Sequence, residues 1–292
     1  MKSGFVAVVG RPNVGKSTLV NTLVGTKVAI TSPRPQTTRN TVRGVVTVPD
    51  EFQAVFVDTP GLHKPKNALG ERLNHVVYGT LSDADCILFL LDATAPIGRG
   101  DRLIAARLGE AGSPVIVIVN KTDIASRAQV VAQLTEASKW GFAAYVPTSA
   151  LTGEGIDPIG HELNALLPEG PLYFPAGMVT DQPESFLTRE LIREAFLTKL
   201  EQELPHSLTV DVREIEQRPD GTVYVDAALI VERSSQKPIV IGKGGAMLRD
   251  CGTRAREELE KLFGERVYLD LRVKVEKDWQ RKPELLDRLG FE

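Results

Sequence analysis

The chain has 292 residues, 42% of them hydrophobic and 25% charged, with a formal net charge of −3. That length suggests about two domains, each able to bury its own core, and the charge predicts no global attraction to nucleic acid. Two cysteines, Cys86 and Cys251, offer neither a disulfide framework nor a metal spacing. The chain enters an apolar strand almost at Met1, leaving no room for a signal peptide, and no apolar run reaches the ~18 residues that span a bilayer; a cytoplasmic protein is expected.

The first apolar run, Phe5-Val6-Ala7-Val8-Val9, leads into Gly10-Arg11-Pro12-Asn13-Val14-Gly15-Lys16-Ser17 and then a helix from Lys16 to Val24. A strand, a glycine-rich turn and a helix start aim successive backbone N–H groups at one point and make an anion cradle. Asn13, Val14, Gly15, Lys16, Ser17 and Thr18 are the candidate nucleotide contacts. Lys16 supplies a compact positive charge to the β- and γ-phosphates, and Ser17 a hydroxyl ligand to Mg²⁺.

Residues 31–40 are polar and broken by Pro33 and Pro35, and residues 41–48 read as a strand. A threonine of such a loop can bind Mg²⁺ and release it on hydrolysis. Thr38 is favoured here over Thr37, with an ordinary solvated loop as the alternative. Asp58-Thr59-Pro60-Gly61 follows the strand Gln53-Ala54-Val55-Phe56-Val57. Asp58 can hold Mg²⁺ through water, and Gly61 can offer its N–H to the γ-phosphate. The next residue is Leu62, where Ras-like enzymes carry a glutamine that orients the attacking water. Asn13 is then read either as a turn residue or as a ligand for a monovalent cation such as K⁺, standing where an arginine finger's charge otherwise sits. The catalytic candidates are Lys16, Thr38, Gly61 and Asn13.

Further on, Asn120-Lys121-Thr122-Asp123 caps the run Val115-Ile116-Val117-Ile118-Val119, and Ser149-Ala150-Leu151 follows Ala144-Tyr145-Val146. Asp123 can accept from guanine N1–H and the exocyclic amine together. Adenine has neither donor and would leave the carboxylate unpaired. Lys121 can lay its stem along the base, Asn120 can tie this loop to the phosphate loop, and the Ala150 N–H can meet guanine O6. Four such segments, each at the C-terminal end of an apolar run, point to a GTP/GDP site with Mg²⁺ on a doubly wound α/β sheet. Helical patterns near residues 101–110, 128–139 and 156–166 separate the strands.

This first domain is expected over residues 1–170, with a proline-rich linker at 171–185. A second, α+β domain (186–276) opens with a helix to about Glu203. A hairpin of residues 208–216 and 222–231 comes next, then Gly242-Lys243-Gly244-Gly245, a helix over 247–263, a strand over 266–275 and a tail, 277–292. That α-β-β-α-α-β order around a glycine loop is the type II KH arrangement, in which the loop lets a nucleic-acid backbone approach. The domain is close to charge balance. Arg233, Lys237, Lys243, Arg249, Arg254 and Arg256 nevertheless bracket the loop with only Asp250 against them. RNA contact is expected at Gly242, Lys243, Gly244, Gly245, Arg233, Lys237 and Arg249. A protein-binding second domain stays open as an alternative.

Together these segments resemble the Era family of bacterial GTPases over nearly the whole chain. The phosphate loop through Thr18-Leu19, Gln36-Thr37-Thr38-Arg39, Asp58-Thr59-Pro60-Gly61-Leu62, Asn120-Lys121-Thr122-Asp123, Val240-Ile241-Gly242-Lys243-Gly244-Gly245 and the tail from Lys277-Asp278-Trp279 to Leu289-Gly290-Phe291 carry the likeness. The resemblance implies a monomeric GTP-hydrolysing factor of small (30S) ribosomal subunit assembly that binds the 3′ end of 16S rRNA. It also implies a cytoplasmic location with some peripheral contact at the cell membrane.

Overall fold

The computed structural model describes residues 1–34, 37–61, 68–201 and 204–291. The chain forms two compact units, one made mostly of residues from 1–181 and the other mostly of residues 182–292.

In the first unit the order is β1 (Lys2–Gly10), α1 (Lys16–Val24), β2 (Val42–Val48), β3 (Phe52–Asp58), α2 (Ala68–Ser82), β4 (Cys86–Asp92), α3 (Arg99–Glu110), β5 (Val115–Asn120), α4 (Arg127–Ala137), β6 (Ala144–Thr148) and α5 (Ile156–Leu166). The strands lie side by side as β2-β3-β1-β4-β5-β6. All pairs are parallel except β2 with β3. Strands β3, β4 and β5 are apolar almost throughout because helices cover both faces of the sheet. The register sets Val8 opposite Asp58, Asp92 opposite Asn120, and Asn120 opposite Thr148. One edge of the sheet therefore gathers the ends of β1, β3, β5 and β6, where the sequence motifs stand.

Two features of this unit differ from the sequence reading. Helix α2 is additional to the elements expected from sequence; its Leu69, Leu73, Val77 and Leu81, spaced four apart, are buried on one face. Residues 171–181, expected as linker, run bonded to the first unit. Gln53 Oε1 accepts from the Tyr173 and Phe174 N–H groups, at 2.8 and 3.0 Å, and the Val45 N–H donates to Val179 O at 2.9 Å. Strand β2 is an edge strand, and this segment satisfies backbone groups that would otherwise face water.

The second unit contains α6 (Glu184–Leu197), α7 (Leu204–Ser207), β7 (Thr209–Gln217), β8 (Val223–Val231), α8 (Lys237–Ile241), α9 (Ala246–Phe263), β9 (Val267–Val275) and α10 (Pro283–Arg288). Its sheet order is β7-β8-β9, antiparallel then parallel. Residues from α6, β7, β8, α8, α9 and β9 share one apolar core. Helix α6 stops at Leu197, short of the expected end; Glu203, like Gln36 and Leu62, lies outside the described residues. The tail is part of this unit's core. Trp279 is fully buried, donates from Nε1 to Ser207 O at 2.9 Å, and stacks on Phe291 at 5.5 Å.

Candidate functional site

The first site is built where β1 turns into α1. Gly15 sits at φ 101°, and a Cβ there would lie 2.2 Å from Asn120 Nδ2. Only glycine fits that position, and its freedom lets the turn close onto α1. Asn13 also has a positive φ, 64°, which asparagine tolerates, and its side chain is exposed. Val14 is buried beneath the loop, and Thr18 stands in the first turn of α1.

Three oxygens meet beside the loop. Ser17 Oγ donates to Asp58 Oδ2 at 2.6 Å and lies 2.9 Å from Thr38 Oγ1, which itself reaches Asp58 Oδ2 at 3.2 Å. Of the two threonines in question, Thr38 is the one in this cluster. Asp58 is fully buried, and its other oxygen, Oδ1, has no hydrogen-bond partner among the described residues. A buried, half-paired carboxylate with two hydroxyls is an all-oxygen donor set of the kind that suits Mg²⁺. Among the described residues no cluster of His, Cys, Asp and Glu could hold a metal by itself. Such a cation would share its shell with phosphate oxygens.

Charge is stored here unfavourably. Lys16 is buried, and its ammonium donates to Arg11 O at 3.1 Å and Gly10 O at 3.3 Å. Burial lowers its pKa to about 8, against the pull of the Asp58 carboxylate. Burial likewise raises the Asp58 pKa, opposed by Lys16 and by the bonds from Ser17, Thr38 and the Thr59 N–H. A phosphate beside Lys16 and a divalent cation beside Asp58 relieve both costs. Gly61 is buried against the loop, where a Cβ would fall 3.0 Å from Pro12.

The base end is assembled from four separate strand ends. Asn120 Nδ2 donates to Val14 O at 2.8 Å, and Asn120 Oδ1 accepts from the Ala150 N–H at 2.9 Å. Asn120 thus ties the phosphate loop to the 149–151 turn, as its motif suggests. The Ala150 N–H, read from sequence as a donor for O6, is engaged by Asn120 and must be shared when a base is present. Asp123 is exposed, with Oδ1 fixed by Ser149 Oγ at 2.8 Å. Lys121, at φ 71°, pairs through Nζ with Asp92 Oδ2 at 2.6 Å. Burial works to raise the Asp92 pKa, but Lys121 and Thr94 outweigh it and hold the carboxyl low. Asp92 is absent from the sequence reading, because nothing in the sequence marks a partner 29 residues away. Leu151 is 78% exposed at the rim.

The second site surrounds the glycine loop between α8 and α9. Gly242 adopts φ 76° and ψ 168°, and a Cβ there would meet Met247 N at 2.7 Å. Gly244 and Gly245 are left-handed, with nothing within 4 Å of where a Cβ would be. Open space over a bare backbone is what a sugar-phosphate chain needs. Lys243, Arg233, Lys237 and Arg249 are all exposed around it. Beside Gly245, a groove of about 400 Å³ runs between α9 and β9. Leu248, Gly252, Leu269 and Leu271 form its apolar part, and Arg249, Thr253 and Arg256 its polar part. The sequence reading missed the four apolar residues, which come from two elements that only the fold brings together. Arg254 and Arg256, part of the same cationic run, are engaged by Thr198 at 3.1 Å and Glu260 at 2.7 Å.

Comparison with known proteins follows the same division. Residues 5–121 match the family described as 50S ribosome-binding GTPase, and residues 203–280 match the KH domain family. GTPase Era of Mycobacterium tuberculosis (strain ATCC 25618 / H37Rv) is 54% identical over 99% of this chain and 98% of its own. GTPase Era of Mycobacterium sp. (strain KMS) is 53% identical over 99% of each. Among solved structures, Era in complex with MgGDPNP and nucleotides 1506–1542 of 16S ribosomal RNA superimposes with a TM-score of 0.96. It has 41% identity and covers 100% of this chain and 99% of that one. A single-residue variant of Aquifex aeolicus Era bound to GDP·AlF4⁻ gives the same score, identity and coverage. With a P-loop GTPase unit, a KH unit and a likeness that runs from end to end, this chain belongs to the Era family of GTPases.

Proposed function

We propose that the protein binds and hydrolyses GTP and, through its KH unit, binds the 3′ end of 16S rRNA during assembly of the small (30S) ribosomal subunit. The observation that carries this reading is the full-length likeness to Era solved with MgGDPNP and nucleotides 1506–1542 of 16S ribosomal RNA.

In this reading Asn13, Val14, Gly15, Lys16, Ser17 and Thr18 wrap the phosphates. Asp123, Ser149, Ala150 and Leu151 face guanine, with Asn120 and Lys121 bracing the base loop. Lys16 sets its ammonium against the β- and γ-phosphates, and the Gly61 N–H donates to the γ-phosphate. Ser17, Thr38 and Asp58 would hold Mg²⁺, which neutralises charge between the β- and γ-oxygens when bound. Water attacks the γ-phosphorus, the bond to the bridging oxygen breaks, and GDP and phosphate leave. K⁺ near Asn13 is the finer expectation, supplying positive charge beside the phosphates as hydrolysis proceeds.

At the second site, Gly244 and Gly245 admit the RNA backbone, and Lys243, Arg233, Lys237 and Arg249 meet its phosphates. The groove takes the bases. Among the described residues no helix is long and apolar enough to cross a membrane. We place the protein in the cytoplasm as a monomer, with peripheral membrane contact as a subsidiary expectation that vesicle co-sedimentation tests.

Titration of a labelled RNA carrying the last nucleotides of 16S rRNA tests the reading directly. Changing both Lys243→Asp and Gly244→Asp adds bulk and repulsion at the loop, so RNA binding is lost while GTP-analogue affinity stays at the wild-type value. RNA binding that survives both changes would take RNA away from this loop.

A further inference from the structure

We infer that Thr22, a residue of α1 outside all the nucleotide motifs, is a positioning residue for guanine recognition, holding the carbonyl of the residue whose N–H is read as meeting O6. Thr22 Oγ1 lies 2.6 Å from Ala150 O, across 128 positions of sequence, and 3.0 Å from Thr18 O within its own helix. A hydroxyl has one proton to give, and the shorter contact is the one that leaves the helix. Ala150 is buried, so in this arrangement its carbonyl depends on Thr22 for a partner and reaches water only if residues 149–151 move. Its N–H is fixed at the same time by Asn120 Oδ1 at 2.9 Å. Ala150 is therefore clamped from two elements, one at each end of the residue.

This clamp has a consequence for specificity. Helix α1 starts with Lys16 and Ser17 at the phosphate end of the site. Between one and two turns on from Lys16, the same rigid helix grips the base loop. The distance between phosphate cradle and O6 donor is thus set by helix α1 together with the Asn120 bridge from Val14 O to the Ala150 N–H, rather than by the flexibility of two loops. Removing the Thr22 hydroxyl leaves a buried acceptor unpaired, and the cheapest relief is a shift of residues 149–151 toward water. That shift withdraws the Ala150 N–H from the base and leaves Lys16, Ser17 and the phosphates untouched.

The inference rests on the GTP-site reading, and the test separates the two. GDP and the diphosphate of 2-aminopurine riboside, which keeps the 2-amino group but has no 6-oxo group, are titrated against wild type, Thr22→Val and Thr22→Ser. Thr22→Ala serves as a second hydroxyl-free variant should valine disturb folding. In the hydroxyl-free variants GDP affinity falls roughly tenfold, the scale of a buried acceptor losing its donor. Affinity for the 2-aminopurine nucleotide changes little, Thr22→Ser restores GDP binding, and kcat at saturating GTP is unchanged. Equal losses for both nucleotides would make Thr22 a structural brace only, and an unchanged GDP affinity would remove it from the site. A wild type that does not prefer GDP to the 2-aminopurine nucleotide would overturn the base reading itself.

Discussion

Asp123 is exposed yet held by Ser149, so its carboxylate is aimed without being neutralised. Asp123→Asn should lower GTP affinity by about 100-fold or more, since a site built for a polar pair rejects its mismatch strongly. The same variant should gain xanthosine triphosphate, whose 2-carbonyl meets the new amide. Competition binding with the two nucleotides checks this, and unchanged GTP affinity would take Asp123 out of the base contact. Asn13 poses a different question. Its left-handed backbone already accounts for an asparagine in the turn, so a cation role must be shown by kinetics. Turnover should be slow and rise when K⁺ replaces Na⁺, and Asn13→Ala should blunt that response. Equal rates in both salts would leave Asn13 as a turn residue alone.

At the scale of elements, contiguous motifs are legible and long-range pairs are not. Gly10 to Ser17 and Asn120 to Asp123 declare themselves because their chemistry is packed into a few residues at a strand end. Lys121 with Asp92, or the groove floor of Leu248 against Leu269 and Leu271, exists only after β-strands and helices meet. Helix α2 is a different kind of miss, since its apolar residues recur every four positions, a spacing that marks one helix face. Residues 171–181 look like linker by their prolines, but their bonds to β2 and Gln53 depend on an edge that sequence does not display. The tail is a similar case. Its Trp279 stands in the sequence only as part of a tail that carries the family likeness, yet it is fully buried, bonds to Ser207 O and stacks on Phe291. Trp279→Ala should cost ~3–5 kcal/mol, the range for emptying a buried aromatic site. Chemical denaturation monitored on the second unit checks this, and a loss under about 1 kcal/mol would place the tail outside the core.

On the scale of the whole molecule, one chain carries a proposed GTP site, in which Lys16 and Asp58 are buried charges, and a proposed RNA site that is open at its glycine loop. The central claim is that the two are one switch. Thr38 belongs to the proline-broken loop and meets Ser17 and Asp58 in the present arrangement. A γ-phosphate with Mg²⁺ would reorganise that loop, and the proposal is that RNA binding responds. Linkage requires the effect to be reciprocal, with GTP changing RNA affinity by the factor by which RNA changes GTP affinity, on the order of 5- to 150-fold. The decisive measurement is the affinity for the 3′-terminal 16S rRNA segment in the GTP-analogue, GDP and nucleotide-free states. The affinity in the GTP-analogue state should differ from that in the other two by a factor in that range. Identical affinities in all three would contradict it and leave two independent modules on one chain.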